Sequence, residues 1–221
     1  MNALLKNLTG LLAITTLWLA PAQATETFSD PNKLIEVVAD KTFSRIKADQ
    51  PLIQQDLEHL RTIVIEELLP YVDSRYAAAT IVGRSVDIRA NAEAFNEFVS
   101  AFEQYMIGSY AGALTYYKEQ KVMIEPSRTT GNNLITTVRT RVIDPGKPDI
   151  VIDFKLRRPR NAETWLVIDM IAEGISLLDS KRAELSNLIR QQGLERVTVM
   201  LREKAKEPVK IPEAEPAGTA E

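Results

Sequence analysis

The stretch LITTVRTRVIDPGKPDIVIDFKLR, residues 134 to 157, is where the hydrophobic period of the chain changes from about 3.6 to about 2. Leu134, Thr136, Val138, Thr140 and Val142 alternate with Ile135, Thr137, Arg139, Arg141 and Ile143. After DPGKP, residues 144 to 148, the alternation is cleaner: Ile150, Ile152, Phe154 and Leu156 fall on one face, and Val151, Asp153, Lys155 and Arg157 on the other. Two such runs around a turn bearing Pro and Gly predict an antiparallel pair with one apolar face. Working outward, Lys121 to Glu125 predicts a short strand, Arg157 to Ala162 a second turn, and Trp165 to Ile171 a further strand. That last strand is apolar on both sides, so the pattern leaves its orientation open. The expected sheet is a meander of four antiparallel strands.

An apolar sheet face has to be covered, and the flanking segments supply helices. Asp30 followed by Pro31 is a cap with a first-turn proline, and Ile35, Val38, Thr42, Phe43 and Ile46 follow at helical spacing. A second helix is predicted from Asp49-Gln50-Pro51 to Pro70, with Ile53, Leu57, Leu60, Val64 and Leu68 as its apolar stripe. Asp73 caps a third, which carries Tyr76, Ala77, Thr80 and Ile81 and closes at Gly83. A fourth runs from about Asn91 to Lys118. Beyond Gly174, a helix from about Leu178 to Gln192 ends at Gly193, in the position glycine favours after a helix, and a last one spans about Leu194 to Lys206.

The fourth helix contains YMIGSYAGALTYY, residues 105 to 117, with Gly108 and Gly112 in its interior. Each interior glycine costs about 1 kcal/mol relative to alanine, so the pair calls for a compensating use. Close packing of membrane-spanning helices is one use of GxxxG. Here Gln104, Lys118, Glu119 and Gln120 interrupt the apolar run well short of the ~20 residues a span needs. Steps of three and four residues align Phe98, Phe102, Tyr105, Ser109, Gly112 and Tyr116. This is an aromatic stripe with a notch, made either for a ligand to enter or for another element to pack closely.

Met1 to Ala24 has Lys6 in its first part, an apolar run from Leu8 to Ala20, and Ala22-Gln23-Ala24 as a small-x-small cleavage site, which predicts a secretory signal peptide and a mature start near Thr25. Without Lys6 the remaining chain has 26 Lys plus Arg against 30 Asp plus Glu, a formal charge of −4, and no nucleic-acid footprint follows from that balance. There is no cysteine, hence no disulfide framework and no lipidated cysteine behind the leader. Residues 25–206 are expected to form one domain, mainly helical to 118, antiparallel sheet over 119–172 and helical over 173–206. The Pro-, Ala- and Glu-rich segment 207–221 is expected to be disordered.

The search for chemistry returns few candidates. GxSxG, GxGxxG, the phosphate-binding P-loop pattern and HExxH are absent. His59, the single histidine, falls on the charged side of the second helix and is expected to be solvated. No metal site and no cofactor are expected. Asp169 and Glu173 are the carboxylates in an apolar setting, and a structural role capping backbone groups is expected of both. Arg157, Arg158 and Arg160 are expected at a solvated hairpin tip.

LPYVDSRYAAATIVGR (69 to 84), FVSAFEQYMIGSYAGAL (98 to 114) and WLVIDMIAEGISLLDSKRAELSNLIRQQGLERV (165 to 197) resemble the MlaC family, also called the toluene-tolerance family. The likeness covers nearly all of the chain after the leader. Ile168, where an aromatic is common, and the tail after Lys206 depart from the family pattern. The resemblance implies an α+β fold in which helices, some forming a helical subdomain, wrap a curved NTF2-like sheet of about four strands. It further implies a periplasmic carrier of glycerophospholipid, serving outer-membrane lipid asymmetry and not catalysis. Its partners are then an outer-membrane lipoprotein and porin complex and the MCE-domain subunit of an inner-membrane ABC transporter. The residues expected to hold the acyl chains are Tyr76, Phe98, Phe102, Tyr105, Ser109, Gly112, Tyr116, Val138, Val142, Ile150, Ile152, Phe154, Leu156, Trp165 and Val167. A periplasmic chaperone for acylated proteins and an NTF2-like small-molecule enzyme are the alternatives.

Overall fold

The computed structural model describes residues 26–125, 133–160 and 162–211. The leader expected at 1–24 lies outside the described residues, as does the tail from 212 on. Helix α1, Pro31–Ala48, begins as its sequence predicts: the Asp30 carboxylate accepts from the Asn32 N–H at 2.8 Å, and Pro31 occupies the first turn, where its missing N–H costs nothing. Its buried line is Leu34, Ile35, Val38, Thr42 and Ile46.

The expected second helix is instead broken into pieces. Helix α2, Gln50–Gln55, stops where Asp56 turns extended and its carboxylate accepts from the Glu58 N–H at 3.0 Å, a local bond that competes with helix propagation. Helix α3, His59–Ile63, continues into a π-helical turn over Val64–Leu68 and a 3-10 turn over Leu69–Tyr71. Pro70 explains the widening. It brings no N–H and would clash with the carbonyl four residues back, and the Leu69 N–H just before it bonds to Val64 O, five residues back.

Helix α4, Ser74–Val82, is capped by Asp73 through the Tyr76 N–H at 2.9 Å and closed by Gly83 at φ +57°. Helix α5, Ala92–Leu114, ends four residues earlier than expected. The sheet is a meander, β1 Lys121–Glu125, β2 Ile135–Ile143, β3 Ile150–Arg157, β4 Leu166–Ala172 and β5 Ile175–Ser176, antiparallel throughout and in chain order. The fifth strand was not expected. It is two residues long and hangs on a tight turn in which Glu173 and Gly174 both have positive φ, +49° and +81°. Helix α6, Leu177–Gln192, is capped by Ser176 and ended by Gly193 at φ +86°, and α7 spans Leu194–Ala205.

Three apolar cores hold these pieces together. Phe95, Phe98 and Phe102 of α5 pack with Leu185 and Ile189 of α6 and Val197 and Leu201 of α7. Leu34, Ile35 and Val38 of α1 pack with Tyr71 on Val138, Leu156 and Trp165 of the sheet region. Ile46, Ile53, Leu60, Ile63 and Val64 form the third with Ala111 of α5 and Val209. Val209 belongs to the segment expected to be disordered, yet it is buried and its N–H donates to Glu58 Oε1 at 2.6 Å. The folded unit therefore extends beyond Lys206. The helical layer is tied to the sheet edge by the Asp73 N–H, which donates to Val167 O at 2.9 Å.

Candidate functional site

The strand registers put the apolar residues in rows across one face of the sheet. Thr136, Leu156 and Val167 form one row, and Val138, Phe154 and Met170 the next. Ile124, Thr140, Ile152, Ala172 and Ile175 follow, then Val122, Val142 and Ile150. Under α1 the face is sealed, with Leu156 and Val138 fully buried and Trp165 beside them donating its indole N–H to Ser29 O at 2.9 Å. Toward the other end it opens. Phe154, Val167, Ile152 and Val142 are half-buried, Ile150 is 46% exposed and Ile175 63%. Of the two threonines in this face, Thr140 is neutralised locally, its hydroxyl donating to Ile152 O at 2.9 Å.

The aromatic stripe of α5 has the same gradient. Phe98 and Phe102 lie 6.2 Å apart in the helical core, Tyr105 is half-buried, Ser109 is exposed and Tyr116 is 56% exposed. Phe98 and Phe102 thus fill helix-to-helix packing, and the stripe opens only after Tyr105. The two glycines separate in use. A Cβ on Gly108 would meet Arg61 Nη1 at 2.8 Å, whereas a Cβ on Gly112 meets nothing within 4 Å. Helix α5 packs chiefly against α7, with further contacts to α3, α4, α6 and the π-helical turn, and a Cβ at Gly112 would meet open space and not a strand. The alternative of a strand packed into the notch at Gly112 therefore fails, and the close packing expected of the motif is made at Gly108 by a guanidinium.

The two open regions are joined through α6. Its first residues follow directly on Ile175–Ser176, Leu177 is exposed, and Lys181 places its Nζ 5.2 Å from the centre of the Tyr105 ring. Tyr110, packed against two of the apolar cores, contacts Met106 Sδ through its hydroxyl at 3.9 Å. Burial pushes its phenol upward, and the Asp169 charge adds to the shift. Asp169 accepts from the Ser176 hydroxyl at 2.6 Å and the Leu178 N–H at 3.0 Å, and Glu173 Oε1 accepts from the Val151 N–H at 2.7 Å. Both carboxylates hold backbone, as expected. Met170, Ala172, Ile175 and Leu177 border the open region without having been singled out in the sequence, because β4 is apolar on both sides and the two-residue β5 leaves no periodicity to read.

Three sequence expectations are corrected. Tyr76 is off the apolar face: the Arg157 guanidinium, which alternates away from Leu156, lies over its ring at 4.6 Å. Arg157 also pairs with Asp73 at 2.9 Å, and Arg158 lies over Trp165 at 5.2 Å, so only Arg160 of that cluster is fully exposed. His59 is not a free solvated residue, since its Nε2 lies 2.7 Å from Asp49 Oδ2, which Arg45 also meets at 2.5 Å. That histidine bond first, and the arginine second, hold the Asp49 carboxyl below the usual range. Among the described residues no cluster of His, Asp and Glu could hold a metal, and no helix is long and apolar enough to cross a membrane.

A separate open groove of about 540 Å³ lies between α3, the π-helical turn, α5 and α7. It is lined by Arg61, Ile65, Ile107, Val199 and Arg202 among others, and it contains none of the expected site residues.

Comparison with known proteins places this architecture. The structure of a phospholipid-binding protein from Ralstonia solanacearum, solved in complex with a phospholipid, superposes with a TM-score of 0.70 at 22% sequence identity, over 80% of this chain and 97% of that one. A curated relative from Haemophilus influenzae, the intermembrane phospholipid transport system binding protein MlaC, is 34% identical over 182 residues, 82% of this chain and 85% of its own length. The model of the family described as MlaC protein matches residues 36–203, so the chain belongs to the MlaC family.

Proposed function

We propose that this protein is a periplasmic carrier that holds the acyl chains of a glycerophospholipid between the open part of its sheet face and the Ser109, Gly112 and Tyr116 side of α5. The observation that carries the reading is the graded apolar face, sealed by α1 at Leu156 and Val138 and open at Ile150 and Ile175, together with the open space at Gly112 of α5. Water between two membranes is a barrier to a lipid because each exposed CH₂ costs about 0.8 kcal/mol. Two acyl chains therefore present on the order of 20 kcal/mol to be hidden. A carrier needs depth and no nucleophile. The polar headgroup can stay at the exposed rim.

The partners in this reading are an outer-membrane lipoprotein and porin complex and the MCE-domain subunit of an inner-membrane ABC transporter, in a system that maintains outer-membrane lipid asymmetry. Support comes from membership of the family and from the transport system named for the Haemophilus relative. Extraction of protein purified without detergent tests the reading. Diacyl phospholipid at near-stoichiometric phosphorus is expected. Lipopeptide in its place would point to a chaperone of acylated proteins. No lipid, and no uptake from vesicles, would remove the carrier reading and favour an enzyme.

A further inference from the structure

Lys181 stands beside the open part of α5, on the helix that follows directly on the exposed Ile175. It projects from the second turn of α6 over the Tyr105 ring, at the point where the α5 stripe passes from buried to open. Ser109, about one turn further and about 6 Å along the helix axis, is small and exposed. The lysine is itself part-buried, its side chain 36% exposed. Burial opposes its charge, but the bond to Glu184 and the nearby Tyr105 outweigh this and its pKa is raised, so it is charged at neutral pH.

Its one ion-pair partner does not use up its charge. Glu184 meets Lys181 at 2.8 Å and also lies 3.9 Å from Lys204, so two ammonium groups share one carboxylate. If Lys181 turns toward the cleft, Glu184 keeps Lys204. The nearby N-terminus of α6, by contrast, is already occupied, since Asp169 takes the Leu178 N–H and Ser176 takes that of Asp179.

We propose that Lys181 is the phosphodiester-binding residue of this protein, fixing the lipid headgroup at the rim between α5 and α6 with the acyl chains running from there toward Ile152 and Val142. This rests on the carrier reading and adds which lipid class the site prefers and which way round the lipid lies. A compact ammonium on a flexible stem suits a phosphate that arrives and leaves with each transfer.

The test compares uptake of phosphatidylglycerol and of diacylglycerol with the same acyl chains, from vesicles, by lipid-stripped wild type, Lys181→Gln and Lys181→Arg. In Lys181→Gln the affinity for phosphatidylglycerol is expected to fall about tenfold, while that for diacylglycerol stays unchanged. Lys181→Arg is expected to keep the preference, and free glycerol phosphate should not compete. An unchanged ratio overturns the proposal. So does an equal loss for both lipids, which would mean that Lys181 only supports Tyr105. Displacement of the lipid by glycerol phosphate would mean a site for free phosphate and would overturn it too. Wild type that takes up neither lipid overturns the carrier reading, and the proposal with it.

Discussion

Gly108 and Gly112 stand one turn apart on α5 and meet opposite surroundings, so the same substitution should act on them with different sign. Gly112→Ala adds a methyl group to open space, and helix propensity should raise stability by up to about 1 kcal/mol. Gly108→Ala pushes on the Arg61 guanidinium, which is held by Glu58 at 2.6 Å and by Glu207 O at 2.6 Å and so cannot swing away freely. It should gain nothing or lose stability. Denaturant midpoints of the two variants check this, and an equal rise for both would show that Arg61 yields. Gly112→Leu should remain folded and carry less lipid. The sequence showed that the glycines needed a use. It could not show that the use differs, because Arg61 reaches Gly108 from a helix some 45 residues away.

At the scale of elements, β3 should separate stability from binding along its own length. Leu156→Ala, under α1 and fully buried, should cost about 2 to 5 kcal/mol. Ile150→Ala, nearly half exposed, should cost well under that and yet reduce bound phospholipid. If both substitutions lower stability alike, the face is sealed at both ends and the site lies elsewhere. The start of α6 offers a second test. Asp169→Ala removes two charge-assisted hydrogen bonds and should destabilise by about 1.5 to 3 kcal/mol per bond lost to a part-buried carboxylate, less whatever water replaces. The alternation of β2 and β3 was legible because apolar residues hold one face of both strands along their length, covered or not. The rotation of the buried side of α5 was not, since Phe98 and Phe102 face α7 while Ala111 faces Leu60 and Ile63, and nothing local in the helix distinguishes the two partners.

For the whole molecule, acid should weaken the fold in a defined direction. The Asp49, Asp153 and Asp144 carboxyls are held below their usual range, by His59 and Arg45, by Arg139, and by Lys147. Each is depressed in the folded state, so its contribution is complete above the ordinary carboxylate value of about 4 and is lost as pH falls through the lower folded value. Midpoints measured on descending pH should therefore stay flat to about 4 and then drop, and Asp153→Asn should shorten that drop. Export predicts a mature N-terminus at Thr25, which an intact mass of protein from an exporting host checks directly.

What the sequence determined by itself is whatever is encoded locally. The Asp30-Pro31 and Asp73 caps, the stops at Gly83 and Gly193, the β2 and β3 pairing and its apolar face all follow from spacing and from the few residues that suit a cap or a positive φ. The family was legible too, in three quoted segments. Tertiary structure decided which part of the apolar face is covered and which is left open, because burial depends on where α1 lies and not on the residue being buried. It also took Arg157 from the expected solvated hairpin tip into a cation–π contact with Tyr76, brought Val209 into the core, and set Lys181 beside Tyr105. Each of these joins residues distant in the chain, and pairwise geometry of that kind leaves no periodicity in the sequence.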